Sequence, residues 1–197
     1  MDLLESEAFS VNPTKFLLGK KTAFILAMAT GNRVSEIAAI VRNGIGAISS
    51  NSPVRLPIRP GFLYKNQRLG RTPPPIEVHP LVSGPRALCP VRTLKKYLSL
   101  TGEVTSGPLF LNSRTNSPVL SSTVSKWICE VIEQADPGKF PRGHDTRRTS
   151  TSLAFTRGLD PADIAKRAFW RSSSVFVDRY LSAQSGGRCV ALNTCSV

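Results

Sequence analysis

Two stretches decide how this chain is read: Ala29-Thr30-Gly31-Asn32-Arg33-Val34-Ser35-Glu36, and, far downstream, His144-Asp145-Thr146-Arg147. The first closes a run, residues 20–30, that is apolar nearly all round and reads as a buried helix. Gly31 breaks that helix, and residues 33–40 read as a second, short one. The second stretch opens a helix over residues 144–157, which Gly158 ends.

Working outward, residues 44–80 change character. Gly, Pro and Ser punctuate β-prone pieces near residues 45–48, 54–58, 61–64 and 76–78, read as an irregular antiparallel sheet. The run Pro73-Pro74-Pro75 is a rigid turn or extended link. Pro90 begins a helix through Leu100, proline being suited to a first helical turn. Residues 121–134 carry the cleanest period, with Val124, Trp127, Ile128, Val131 and Ile132 on one buried stripe. In Asp160-Pro161-Ala162-Asp163, Asp160 caps free amides, Pro161 takes the first position and Asp163 faces the positive end of the dipole. A last helix, residues 173–182, carries Tyr180 before a polar tail.

The 197 residues carry a formal charge of +13 and are 41% hydrophobic, which fits one globular domain with an anionic partner, most often nucleic acid. The charge is uneven: between Arg42 and Lys96 ten lysines and arginines stand against the one acid Glu77, a net +9. Cys89, Cys129, Cys189 and Cys195 show no Cys-x-x-Cys spacing, so neither a disulfide framework nor a zinc site is expected, and a reducing compartment is. No apolar run reaches membrane-spanning length, and residues 1–12 are unlike a signal peptide.

Cleaving a phosphodiester builds negative charge on its non-bridging oxygens. Arginine suits them, because its guanidinium is planar, permanently charged and donates two parallel bonds. Arg33 and Arg147 are the candidate clamps, placed to stabilise the transition state above the ground state. His144 lies one helical turn before Arg147, on a shared face, and an imidazole with an ordinary pKa of about 6.5 suits proton traffic near neutrality. Trp170 brings an indole N–H that donates but cannot transfer a proton. Tyr180 brings a phenol, a nucleophile once flanking cations ease its deprotonation.

Arg33 within Thr-Gly-x-Arg-x-Ser-Glu, then His144-x-x-Arg147, then Trp170 and Tyr180, resembles the catalytic domain of tyrosine recombinases, the phage-integrase family. The resemblance spans residues 18–183, between an N-terminal segment, 1–17, and a C-terminal tail, 184–197. Ser152-Leu153-Ala154-Phe155 and Trp170-Arg171-Ser172-Ser173-Ser174 are closest in flavour to the recombinases of DIRS-type retrotransposons. The resemblance implies a mainly α fold with a small antiparallel β-sheet. It implies DNA cleavage and rejoining through a 3′-phosphotyrosyl bond on Tyr180, with no cofactor or metal. It makes Lys65, the only lysine between Lys21 and Lys95, the candidate acid for the leaving 5′-oxygen. Trp170 takes a place that family members fill with His or Trp, and Glu36 matches an acid expected to orient a neighbour. Double-stranded DNA, a tetramer on two duplexes and no membrane are the implied partners. The location is the nucleus for a eukaryotic mobile element, otherwise cytoplasm or nucleoid.

Three departures stand out: ten residues separate Trp170 from Tyr180, one more than in most phage and bacterial members; Phe169 replaces a usual small residue; and an N-terminal helical clamp domain is expected to be absent. The alternatives are a type IB topoisomerase, a non-catalytic DNA-binding remnant of a mobile element and, last, a basic RNA-binding or ribosomal protein.

Overall fold

In the computed structural model the chain is described over residues 13–64, 74–138 and 140–168. Helix α1, Lys15–Thr30, is the axis on which the rest packs. Thr14 starts it, its hydroxyl accepting the Leu17 amide at 3.2 Å, which satisfies one of the donors a helix N-terminus leaves open. Gly31 stops it in the left-handed region, φ 63°, with its N–H returned to the Ala27 carbonyl at 3.0 Å. Only a residue without Cβ takes that conformation at no steric cost. Between the caps, α3 (Pro90–Leu100), α4 (Ser121–Ala135) and α5 (Asp145–Thr156) all pack on α1. Three covering helices explain the missing polar face: Leu18, Ala23, Leu26 and Ala27 are buried. Each large apolar side chain so buried contributes about 1.5–3 kcal/mol. Even Lys20 is buried, its ammonium paired with Glu130 of α4 and lying 4.4 Å from the Phe16 ring centroid. The helix starts at Lys15 rather than residue 20, because Thr14 caps it there and Leu18 joins the core ahead of the lysines.

Helix α3 turns Val91, Leu94 and Tyr97 inward. The Tyr97 hydroxyl accepts the Leu111 amide at 3.1 Å. Burial, first of all, holds that phenol above its ordinary pKa. On α4 the stripe is Val124, Trp127, Ile128 and Val131, with Ile132 half-buried. Trp127 meets Phe16 and Phe110 edge-on, at centroid distances of 5.9 and 6.3 Å, the arrangement the ring quadrupoles favour.

The sheet is smaller than the sequence implies. Strand β1, Val54–Leu56, pairs antiparallel with β2, Ile76–Val78, in the register Val54↔Val78, Arg55↔Glu77, Leu56↔Ile76. Apolar residues face the core and the charged pair faces out, as the two-residue period requires. The pieces at 45–48 and 61–64 are not strands. Gly44 and Gly61 turn the backbone at φ 87° and 77°, so neither piece runs alongside a partner, and the second buries the Tyr64 ring instead. Single bridges, Ile40↔Ile58 and Val41↔Pro108, join the segment after residue 38 to the segments after β1 and before residue 109. The architecture is mainly helical with a small antiparallel sheet, as the resemblance implies.

Two short α-helices, α2, Val34–Ala38, and α6, Pro161–Arg167, and one 3-10 turn, Arg86–Leu88, complete the described structure. Asp160 caps α6 by accepting the Ala162 amide at 2.7 Å, and Pro161 holds its first position. Gly158, φ 86°, follows the Arg157 cap of α5 and turns the chain, and Leu159 N–H reaches back to the Ala154 carbonyl at 3.1 Å. The helix expected over 173–182 lies outside the described residues.

Candidate functional site

The end of α1, the start of α2 and the first turns of α5 converge on one carboxylate. Gly31 reverses the chain and Arg33 becomes the cap of α2. Glu36, three residues on, accepts the Arg33 backbone N–H through Oε2 at 2.8 Å and the Arg33 Nη1 through Oε1 at 2.8 Å. The Glu36 side chain is 1% exposed. A carboxylate taken that far from water costs several kcal/mol unless it is paired and hydrogen-bonded. The second arginine adds to the pairing: Arg147 Nη1 lies 3.8 Å from Glu36 Oε2.

Arg147 is held from both sides. Its Nη1 donates to the Gly31 carbonyl at 3.0 Å and its Nη2 to the Ala168 carbonyl at 2.6 Å. Ser150, one turn further along α5, donates to the Met28 carbonyl at 2.6 Å, pinning α5 against the end of α1. Thr151 Cγ2 and Ser150 Oγ lie within ordinary contact distance of where a Cβ of Gly31 would stand, 3.4 and 3.5 Å, so the glycine is required by its backbone conformation and not by space. Gly143, just before α5, is a true close approach: its Cβ would meet Ser125 Oγ at 2.8 Å and Val34 Cγ2 at 3.2 Å.

Two guanidiniums sharing one carboxylate leave this described cluster net positive. The arginines differ in reach, with side-chain exposures of 19% for Arg33 and 4% for Arg147. The bond to Glu36 is the one side-chain hydrogen bond of Arg33 among the described residues, out of five N–H donors. Arg33 can therefore take an anion without giving up a bond. Arg147 stands behind it and reinforces the field.

His144 caps α5 instead of lying in its first turn, and it is exposed whereas Arg147 is buried. Tyr64 is buried near the cluster and donates to the Pro74 carbonyl at 3.2 Å. Burial, and then the charge of Glu36, pushes its phenol far above the ordinary range, which makes it a poor nucleophile. Lys65, Trp170 and Tyr180 lie outside the described residues. The structure thus brings Arg33, Glu36 and Arg147 together and puts His144 at the adjoining cap. Sequence reasoning missed Ser150, the Gly31 carbonyl and Gly143; a glycine directly before His-x-x-Arg was the available signal.

No protein-family model and no curated protein matches this sequence. Among solved structures the fold is similar to that of XerA recombinase, with 16% identity over 92% of this chain and 69% of that one, TM-score 0.57. It is similar to XerH site-specific recombinase bound to difH substrate in a pre-cleavage complex, with 16% identity over 93% of this chain and 49% of that one, TM-score 0.60. It is similar to a lambda integrase dimer bound to a COC′ core site, with 14% identity over 97% of this chain and 49% of that one, TM-score 0.58. The chain spans about half the length of the XerH and lambda integrase chains. The fold is that of a tyrosine-recombinase catalytic domain.

Proposed function

We propose that this chain cuts and rejoins DNA strands through a tyrosine. The observation that carries the reading is the meeting of Arg33 and Arg147, from stretches far apart in sequence, on the single buried carboxylate of Glu36 within a fold of that class. In this reading the phenolic oxygen of Tyr180 attacks phosphorus, and the bond to the 5′-oxygen breaks. A 3′-phosphotyrosyl bond forms, conserving the phosphodiester energy for rejoining. Arg33 and Arg147 hold the non-bridging oxygens as charge builds on them. His144 takes the phenolic proton or donates to the phosphate, Trp170 donates one further hydrogen bond, and Lys65 delivers the proton to the leaving 5′-oxygen.

DNA as the partner is supported by the +13 charge and by similarity to proteins seen on core-site and difH DNA. Assembly as a tetramer is supported by similarity to a lambda integrase tetramer bound to a Holliday junction. The DIRS-like phrases support a mobile element as the source, with the work done in the nucleus if that element is eukaryotic and otherwise in the cytoplasm or nucleoid.

Trapping on a nicked suicide duplex tests this reading. A covalent protein–DNA band is expected for the wild-type chain and none for Tyr180→Phe. No band with the wild type, or a band that survives the substitution, rejects it.

A further inference from the structure

Asn32 lies between the two residues that organise the site. Its preceding carbonyl, that of Gly31, accepts Arg147, and its following residue, Arg33, is bonded twice to Glu36. Asn32 is 1% exposed. Both polar atoms of its side chain, Nδ2 and Oδ1, are buried without a hydrogen-bond partner, and among the described residues they are the only buried side-chain nitrogen or oxygen atoms in that condition. Three hydroxyls of the adjoining segments have carbonyl partners of their own: Thr30 donates to the Leu26 carbonyl, Ser150 to that of Met28 and Thr151 to that of Arg147.

A buried donor or acceptor without a partner carries the full penalty of its lost hydration. Here a donor group and an acceptor are both unmet, on one side chain, in the turn that carries the first arginine. An apolar side chain of the same size would remove that cost. The deficit therefore raises the energy of the resting turn relative to any arrangement in which the amide is bonded. Strain of this kind persists where the surrounding structure imposes it and where function draws on it.

We propose that Asn32 is a positioning residue of the strand-cleavage site: its amide leaves the Gly31–Arg33 turn under-bonded in the free protein, and engagement of DNA moves the turn to an arrangement in which that amide is bonded. The inference rests on the reading above and adds to it a conformational step at the first arginine. Asn32 acts through Arg33 and through the Gly31 carbonyl that holds Arg147, so it needs no contact with the DNA itself. Part of the stabilisation on binding DNA comes from relieving the orphaned amide.

The distinguishing signature is opposite movement of resting stability and activity, which a merely structural residue does not give. Thermal melting of the full chain, with and without a saturating duplex, is compared for wild type, Asn32→Leu and Asn32→Ala, together with single-turnover cleavage of the suicide substrate at saturating DNA. Asn32→Leu is expected to melt about 2–4 °C higher than wild type in the free state, to gain less from DNA, and to cleave about tenfold more slowly. The inference is overturned if both variants melt lower than wild type when free, which would mean that the amide is partnered there. It is equally overturned if DNA raises the melting temperature of wild type and Asn32→Leu by the same amount, or if cleavage is unchanged. A wild-type chain that gains stability from DNA but forms no covalent adduct would reject strand cleavage while the melting comparison still decides the bonding of Asn32.

Discussion

Arg42 and Arg33 are arginines of one small fold held in opposite ways. Arg42 is buried, and each of its donors is used: Nε on the Pro108 carbonyl, Nη1 on those of Thr101 and Val104, Nη2 on the Thr101 hydroxyl and the Leu109 carbonyl. Five N–H groups meet five acceptors, and the guanidinium carbon lies 5.8 Å from the Tyr97 ring centroid. Such an arginine is a rivet. It closes the 101–109 connection onto the sheet side of the core and has nothing left for a ligand. Among the described residues Arg33 uses one side-chain donor, on Glu36. Arg147 stands between these cases, bonded to two carbonyls yet within reach of the same carboxylate. How many donors the fold consumes separates a structural arginine from one ready for an anion, and burial alone does not.

The same substitution at the two positions should therefore break different things. Arg33→Lys keeps the charge but loses the planar fork. Single-turnover cleavage of a suicide duplex should fall about 10²–10³-fold, while the free protein melts near the wild-type temperature. Wild-type cleavage by this variant would remove Arg33 from the clamp. Arg147→Lys should show both losses, since it gives up the clamp and the carbonyl contacts together. Non-specific duplex binding should survive in each, and anisotropy will report it.

Arg42→Lys is expected to do the reverse. Lysine offers three donors, so at least two of the five acceptors go unmet, a loss of roughly 2 kcal/mol or more. Melting should drop by several degrees, while cleavage per folded molecule stays close to wild type. A variant as stable as wild type but slow in cleavage would mean that the two arginines are not different in kind.

Gly143→Ala should have the smallest effect. The added methyl must displace Ser125 Oγ, which can rotate, and Val34 Cγ2, which is less free. A loss of about 1 kcal/mol is expected, with a modest slowing of cleavage as α5 shifts against α2. Ser125→Ala in the same chain should recover part of it. If the double variant is no better than Gly143→Ala, contact with Ser125 does not set the position of α5.

The sequence carried the helices well where a boundary has its own local chemistry. Pro90 opened α3 and Asp160-Pro161 opened α6 as read, because a fixed φ and a capping carboxylate act within one turn. The stripe on α4 was legible because its period belongs to one helix. The sheet was overestimated, since β-prone residues form strands only beside a partner, and the glycines at 44 and 61 turn the chain away. Of the cluster, Arg33, Arg147 and Glu36 were each singled out in the sequence, and the structure brings the three together. That one carboxylate serves both arginines was not legible, because it depends on how α5 packs on α1, a contact between residues far apart in sequence. The orphaned amide of Asn32 and the saturated guanidinium of Arg42 were invisible for the same reason. Each is defined by what surrounds it.

The proposed reaction joins a tyrosine of this chain covalently to DNA. Proteolysis of the trapped adduct followed by mass spectrometry tests it most directly. The nucleotide should be found on the peptide containing Asp178-Arg179-Tyr180-Leu181. Its presence on buried Tyr64 or Tyr97, or on a serine, would contradict the account.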